Sequence, residues 1–261
     1  MRRVTPRGRS GPAADRNEIP GGRALNVKRE KEPMQKGRRF VLAAVFAFLP
    51  VGAARAEDLK SVLAKLDAAA ANFRNTSADF QFDTVQTDPI PDTEVQTGTV
   101  YYSRKGTAFQ MGAHINEINH KPVPKVMVVS GGEFQLYEKL QDQVTRSKKV
   151  SKYESYLVLG FGASGKDLEQ KWTMKYLGSE TMGGVKVEKL ELLAKDPDVL
   201  KLFPKVTIWV DPARGVSLKQ YFDQGQGQSR TCTYTNIKVN QSLPADAFTF
   251  KADSRTQYID R

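Results

Sequence analysis

Few residues of this chain are of the types that most often build catalytic or metal sites, and each scarcity excludes a class of protein. Cys232 is the single cysteine, so no disulfide can form within the chain and apolar burial must hold the fold. The two histidines, His114 and His120, have no cysteine or carboxylate cluster beside them beyond Glu117, which makes them poor metal ligands. No G-x-S-x-G motif surrounds a serine. We therefore expect no enzyme activity, no metal and no cofactor, and interpret Cys232 as a small, partly buried strand residue.

The chain also lacks an apolar run long enough to span a membrane, which takes roughly 20 residues. Its apolar stretch at residues 40–51 follows a basic segment that begins at Met34, and it precedes the sequence Ala54-Arg-Ala56. A basic segment, a short apolar run and an A-x-A site are the parts of a secretory signal peptide. We predict a signal peptide at residues 34–56, cleavage after Ala56 and a periplasmic protein. No cysteine stands at the cleavage site, so we expect no lipid anchor on the protein itself.

The positive charge of the chain lies mostly at its N-terminus. Residues 1–56 hold 13 of the 40 Lys and Arg and 4 of the 29 Asp and Glu, which leaves 27 and 25 in residues 57–261. Residues 1–33, rich in Arg, Gly and Pro, are either a nucleic-acid-binding arm or an extension upstream of the true initiator, Met34. Because signal peptides normally stand at the N-terminus, we favour the extension. The balanced charge of the remainder predicts no nucleic-acid partner.

The stretch from Lys205 to Phe250 predicts consecutive antiparallel strands. Apolar residues recur there at period two, and turns rich in Asp, Pro and Gly separate the runs. The residues expected on one face are Val206, Ile208, Val210, Val216, Leu218 and Phe222. Residues 243–250 predict a short closing strand with Phe248 and Phe250 on one face. Similar patterns predict further strands at residues 77–85, 98–103, 108–111, 125–130, 133–138, 172–177 and 185–193.

Helices are predicted at two places only. Residues 58–73 carry apolar side chains at steps of three and four, which is typical of an amphipathic helix, and Asp58 is a plausible N-cap. A shorter helix is expected within residues 152–159. Residues 116–124 are predicted to form a polar loop, and residues 195–204 a surface turn or a flap over the sheet. Together these patterns predict one mainly β domain at residues 57–261, a curved antiparallel sheet whose apolar face the first helix covers.

The sequence Gly160-Phe-Gly-Ala-Ser-Gly-Lys-Asp167 superficially resembles a phosphate-binding loop. It satisfies G-x-G-x-x-G, and it misses G-x-x-x-x-G-K-[ST] only at Asp167. No βαβ unit surrounds it, and an aspartate replaces the hydroxyl that would hold magnesium. We interpret it as a flexible loop between elements. The apolar face of the sheet remains, and periodicity alone leaves open whether all of it is core or part of it lines a cavity.

Several short stretches carry a resemblance to a known family. They are Ala78-Asp-Phe80, Gly98-Thr-Val-Tyr-Tyr-Ser-Arg104, Val129-Ser-Gly-Gly-Glu-Phe-Gln-Leu-Tyr137, Val210-Asp-Pro, Gly215, Asn236-Ile, Asn240, Leu243-Pro and Phe248-Thr-Phe250. In this order, behind a signal peptide and an amphipathic helix, they resemble the outer-membrane lipoprotein carrier family, LolA. The resemblance covers nearly all of residues 57–261 and rests on many weak positions.

This resemblance implies an incomplete antiparallel β-barrel with a helical lid over an apolar cavity. It implies a monomeric carrier that binds the acyl chains of lipoproteins, or a related lipid, and moves them across the periplasm. An inner-membrane ABC transporter would be the donor and an outer-membrane protein the acceptor. The alternative is an envelope-stress or lipid-sensing regulatory module with the same half-barrel fold, although known sensors of that type carry a second domain.

The apolar face predicted from strand period and the resemblance together suggest site residues. The expected cavity residues are Phe80, Phe82, Phe109, Met111, Met127, Leu136, Leu190, Leu192, Ile208, Leu218 and Phe222. The expected lid or latch residues are Leu63, Leu66, Gln110, Tyr156 and Leu157. In the family, an arginine within Phe-Arg-Trp helps to latch the lid, and here the aligned stretch is Phe109-Gln110-Met111. Gln110 can hydrogen-bond but supplies no charge, so the family's charged latch is not expected at this position, and we interpret the chain as a divergent member of the family.

The signal-peptide prediction is tested by the N-terminus of the protein recovered from the periplasm. Intact mass and N-terminal sequencing should place the first residue at Glu57 because cleavage is expected after Ala56. An Ala56→Phe change, which removes the small residue at the site, should leave an uncleaved precursor. A periplasmic protein that retains residues upstream of Ala54 would contradict the prediction.

Overall fold

The structure is a computed structural model that describes residues 51–105, 108–148, 154–157 and 159–261. The helices are α1 Val51–Asn72, α2 Glu154–Leu157, α3 Gly165–Lys171 and α4 Pro197–Leu202. The strands of the first half are β1 Asn75–Gln86, β2 Asp92–Lys105, β3 Ala108–Ile118, β4 Lys121–Ser130, β5 Glu133–Glu138 and β6 Gln143–Ser147. Those of the second half are β7 Trp172–Met182, β8 Val185–Ala194, β9 Lys205–Asp211, β10 Val216–Gly225, β11 Gln228–Val239 and β12 Gln257–Asp260.

All of these strands belong to one curved, unclosed sheet, in the order β12-β6-β5-β4-β3-β2-β1-β11-β10-β9-β8-β7. Neighbouring strands are antiparallel except β12, which runs parallel to β6. β1 lies at the centre and pairs with β2 on one side and with β11 on the other. The predicted fold class, a mainly β, incomplete antiparallel barrel with few helices, is confirmed.

One face of the sheet, here called the inner face, carries most of the apolar side chains. Under α1, Val62, Leu63 and Leu66 pack against a buried cluster that includes Leu190 and Ile208. Both of the latter side chains are 0% exposed. The predicted amphipathic helix is therefore confirmed, although it begins at Val51, upstream of the proposed N-cap.

A second cluster occupies the inner face near the middle of the sheet, and a loop residue completes it. Phe161, in the loop between α2 and α3, is 2% exposed. Its ring stacks on Tyr102 of β2 with centroids 4.1 Å apart and meets Tyr234 of β11 edge-on at 4.8 Å. Because rings from β2 and β11 both contact Phe161, this loop is packed onto the sheet, which corrects the expectation of a flexible loop.

A β-bulge in β10 corrects the predicted period-two pattern. The pairing of β10 with β9 shifts register between Ser217 and Lys219, so Leu218 falls on the opposite, outer face. There it packs with Val187 and Trp209 in a separate small cluster. Leu218 was expected beside Val216 and Phe222, but one extra residue in a strand is enough to reverse the face.

The last predicted strand is also wrong. Residues 243–250 form a turn rather than a strand. Ala247 lies so close to β3 that a Cβ built on Gly112 would stand 1.8 Å from its carbonyl oxygen. Phe250 stacks on Tyr137 at 5.1 Å. Residues 243–250 are therefore an irregular segment that packs on the sheet through Ala247 and Phe250.

Other boundaries differ from the prediction in smaller ways. The predicted polar loop at residues 116–124 is mostly strand, with a turn only at Asn119 and His120, both of which have positive φ. Residues 195–204 contain α4, which Asp196 caps by accepting hydrogen bonds from two backbone amides. Strands β6 and β12 were not predicted. The predicted extension at residues 1–33 and most of the signal peptide lie outside the described residues, and cleavage after Ala56 stays a prediction.

Adjacent leucines of β8 test the assignment of the inner face. Leu192 is 0% exposed and Leu193 is 40% exposed. Leu192→Ala should lower the free energy of unfolding by about 2–5 kcal/mol, because it removes buried methyl groups and leaves a cavity. Leu193→Ala should change it by about 0.5 kcal/mol or less. Urea unfolding measures both, and equal losses would contradict the assignment.

Candidate functional site

A cavity of about 330 Å³ lies on the inner face, between the sheet and α2. Strands β1–β4, β10 and β11 form its floor. Its lining residues are Phe80, Phe82, Gln96, Val100, Tyr102, Met111, Ala113, Ile115, Met127, Tyr156, Leu157, Gln220, Phe222, Arg230, Cys232 and Tyr234. Apart from tyrosine hydroxyls and the thiol, only Gln96, Gln220 and Arg230 bring polar groups to this surface.

The lining follows from strand alternation. Met111, Ala113 and Ile115 are alternate residues of β3 and therefore share the inner face. In the same way β11 contributes Arg230, Cys232 and Tyr234. Phe82 of β1 pairs with Cys232 of β11 on one side and with Gln96 of β2 on the other, which brings the three strands to one site.

Gln220 and Tyr234 are hydrogen-bonded within the cavity, and the buried thiol and tyrosines are held neutral. The Gln220 amide donates to the Leu159 carbonyl, and the Tyr234 hydroxyl donates to Gln220 Oε1 at 3.2 Å. Burial raises the pKa of the Cys232 thiol to about 12 and raises the pKa values of Tyr102 and Tyr234 well above normal. These groups are uncharged at neutral pH, so the inner part of the cavity presents an apolar surface.

A lid made of α1, α2, the loop at residues 159–164 and α3 covers this face. Tyr156 and Leu157 of α2 face the cavity directly. The Tyr156 ring also meets Trp172 edge-on at 5.1 Å and lies 5.5 Å from Phe203. Leu168 of α3 packs with α1 in the buried cluster. The lid is thus held by apolar contacts on one side and lines the cavity on the other.

Comparison with known proteins identifies the family. Residues 72–251 match the profile described as outer membrane lipoprotein carrier protein LolA. The chain belongs to the LolA family. The family resemblance inferred from short sequence stretches is therefore confirmed.

Among curated proteins, this LolA family member is 28% identical over 126 residues to an uncharacterized protein of Methanocaldococcus jannaschii. The match covers 48% of this chain and 35% of that protein, so the chain spans about a third of the length of that relative.

Solved structures include similar chains at low identity. A conserved protein of Thermus thermophilus is 11% identical, with 78% of this chain and 99% of that chain covered and a TM-score of 0.49. A LolA superfamily protein of Nitrosomonas europaea is 16% identical, with 74% of this chain and 97% of that chain covered and a TM-score of 0.36. A chain of the Pseudomonas aeruginosa MucA/MucB complex is 14% identical, with 74% of this chain and 61% of that chain covered and a TM-score of 0.43.

The structure brings part of the predicted LolA-like cavity together. Phe80, Phe82, Met111, Met127 and Phe222 all line the cavity.

Other predicted cavity residues lie elsewhere. Leu190, Leu192 and Ile208 are 0% exposed in the core beneath α1, away from the cavity, because the second half of the sheet is filled by that helix. Leu218 lies on the outer face.

Two predicted residues stand near the cavity without lining it. Phe109 packs against Tyr102 with ring centroids 5.9 Å apart. Leu136 of β5 pairs with Met127 of β4 and so stands one strand beyond the cavity floor.

The predicted lid residues divide similarly. Tyr156 and Leu157 line the cavity, and Leu63 and Leu66 anchor α1 to the core. Gln110 is exposed, and its amide donates to Ser130 Oγ at 3.0 Å on the neighbouring strand. It makes no contact with the lid among the described residues, so its expected role as a latch is wrong.

Arg104 of β2 supplies the charged contact that Gln110 was expected to lack. Its guanidinium donates to the Gly162 carbonyl at 2.6 Å and to Asp167 Oδ2 at 3.3 Å. Gly162 lies in the lid loop and Asp167 in the first turn of α3, so this side chain joins the sheet to the lid.

Asp167 also explains why the Gly160–Asp167 string differs from a phosphate loop. Ser164 caps α3 and accepts from the Asp167 amide at 3.0 Å, while the Asp167 carboxylate accepts from the Ser164 amide at 3.2 Å. This reciprocal pair is a capping box. Desolvation would raise the pKa of Asp167, but hydrogen bonds from Ser164 and the charge of Arg104 outweigh it and lower the pKa below its ordinary value.

Sequence reasoning missed the β11 contribution to the cavity. Arg230, Cys232 and Tyr234 alternate in the sequence, and that period-two pattern was the available signal. This pattern was overlooked because a strand that alternates arginine, cysteine and tyrosine does not look like one with an apolar face. Within the described residues, no cluster of three or more His, Cys, Asp or Glu could hold a metal ion. None of the described helices is long and apolar enough to cross a membrane.

The Arg104 contact is tested by amide exchange in the lid. Arg104→Gln should speed exchange of residues 160–171 by several-fold, because the part-exposed charged hydrogen bonds that hold this segment are lost. Arg146→Gln, which breaks an exposed pair with Asp260 at the sheet edge, is the control and should leave this segment unchanged. Unchanged exchange in Arg104→Gln would show that apolar contacts alone hold the lid.

The lowered pKa of Asp167 predicts the pH dependence of the same contact. A carboxylate whose folded pKa is depressed stabilises the folded state above its unfolded pKa, and this contribution disappears as pH falls through the folded value. Exchange in residues 160–171, corrected for the intrinsic rate, should therefore rise in acid below the ordinary aspartate range. Asp167→Asn should abolish this acid-induced rise. A rise that persists in Asp167→Asn would assign it to another group.

Proposed function

We propose that this protein is a periplasmic carrier that binds the acyl chains of lipoproteins, or of a related lipid, and transfers them towards the outer membrane. The observation that supports it is the apolar cavity between the inner face and the lid. Family membership supports the same class of function. Acyl chains would lie against Phe80, Phe82 and Met127, under Tyr156 and Leu157.

The energetics suit such a carrier. Burial of an acyl chain stabilises it by about 0.8 kcal/mol per methylene, so a multi-acyl anchor cannot cross water uncovered. A cavity of 330 Å³ holds on the order of ten methylenes, if each occupies about 30 Å³ as a water molecule does. The cavity as it stands therefore holds only part of one acyl chain, and a whole anchor requires the lid to move.

Transfer requires that the lid open without unfolding the sheet. Arg104 joins the sheet to the lid through two polar contacts at the surface, whereas the sheet itself is held by twelve hydrogen-bonded strands. We propose that an inner-membrane ABC transporter loads the cavity and that an outer-membrane acceptor empties it. We propose binding without chemical turnover, since burial keeps the Cys232 thiol and the cavity tyrosines neutral.

The proposal is tested by binding of a fluorescent fatty-acyl probe to the protein from Glu57 onward. Phe82→Glu should weaken binding by about tenfold or more, because an acyl chain would have to desolvate the new carboxylate. Leu177→Glu, at a 40% exposed position of β7, is the matched control and should bind as the wild type does. Native mass spectrometry of protein from an envelope extract then identifies the bound lipid.

A wild-type protein that binds no acyl probe and stays empty when offered a triacylated lipoprotein would contradict the carrier. It would favour the regulatory sensor instead. Equal binding by wild type and Phe82→Glu would place the acyl site elsewhere on the protein.

A further inference from the structure

One charged side chain lines the cavity without a partner. Arg230 lies on the inner face of β11, where it pairs with Thr84 of β1 and Phe222 of β10. Its Nε atom is buried and has no hydrogen-bond partner. None of the ion pairs or side-chain hydrogen bonds found among the described residues includes Arg230.

The nearby carboxylates are directed to other groups. Glu94, two residues before Gln96 on β2, accepts from the Gln96 amide at 2.7 Å. Asp223, beside Phe222, lies 3.8 Å from Lys205. Asp83, next to Thr84, accepts from Gln81 at 2.9 Å. No described carboxylate lies within ion-pair distance of the Arg230 guanidinium, which stands at the cavity wall with its Nε atom unpaired.

An unpaired Arg230 Nε donor lowers the stability of the folded protein unless a hydrogen-bond acceptor pairs with it. A buried donor left unpaired destabilises the protein, and more so when it is charged. Arginine donors form a planar fork that matches a carboxylate or a phosphate. An amphiphile whose chain lies in the apolar cavity would bring such an anionic group to Arg230.

We propose that the cavity selects acyl ligands that carry an anionic headgroup, a phosphate or a carboxylate, which pairs with Arg230. This inference rests on the proposed acyl-binding function. The headgroup lies at the end of the cavity near the β10–β11 turn, because Arg230 is two residues from the start of β11 at Gln228. The chain extends from there past Cys232 towards Met127 and Leu157.

The test compares matched single-chain ligands that differ only in the headgroup. Lysophosphatidic acid is compared with monooleoylglycerol for the phosphate, and oleate with oleyl alcohol for the carboxylate. Each displaces the fluorescent acyl probe from the protein. The wild type should bind at least one anionic ligand about tenfold more tightly than its neutral match. The larger of the two ratios identifies the headgroup.

Arg230→Gln should reduce that ratio to within about twofold. Arg230→Lys should retain part of the preference, because it keeps the charge without the fork. Lys219→Gln is the control, since its ammonium lies over Trp209 on the outer face, and it should keep the full ratio. In the wild type, added salt should weaken only the anionic ligands, a measurement that needs no variant to fold.

The outcomes separate this inference from the proposed function. Neutral ligands that bind as tightly as anionic ones to the wild type, or a preference that survives in Arg230→Gln, would overturn the headgroup site and leave the acyl carrier standing. Failure of all four ligands to bind would overturn both.

Discussion

An unclosed sheet cannot complete its own hydrophobic core, and this constraint governs the rest of the molecule. Twelve strands curve around an apolar inner face, but β7 and β12 end the sheet without pairing with each other. Other elements must therefore remove that face from water. α1 fills the half formed by β7–β9 with Val62, Leu63 and Leu66, and Phe161 fills the middle. The cavity is the space on the inner face, beneath α2, that α1 and Phe161 do not fill.

The lid is held by buried apolar contacts and by one polar contact, and the difference in strength between them provides a way to open the cavity. Phe161 and Leu168 are 2% and 4% exposed, which ties the lid by apolar burial. Arg104 adds a polar contact whose ion-pair partner, the Asp167 side chain, is 42% exposed. Polar contacts at the surface contribute less than buried apolar ones, so the Arg104 contact is the part of the lid's attachment that is lost most easily.

The sheet could be predicted from the sequence because its inner face obeys strict alternation over most strands. Phe80, Phe82 and Met111 were placed from their period alone. What failed was set by tertiary geometry. A one-residue bulge moved Leu218 to the outer face, and α1 took over the surface around Ile208. The family pattern also directed attention to Gln110, whereas the charge that reaches the lid comes from Arg104 through a contact 58 residues apart in sequence.

The central claim is that acyl chains occupy the space between the inner face and the lid. The most direct measurement is photo-crosslinking with a fatty acid that carries a diazirine on its chain, followed by peptide mapping. The account predicts adducts on β1, β3, β4 and α2, at residues such as Phe82, Met127 and Leu157 that line the cavity. Adducts confined to the outer face, around Trp209 and Leu218, would contradict it.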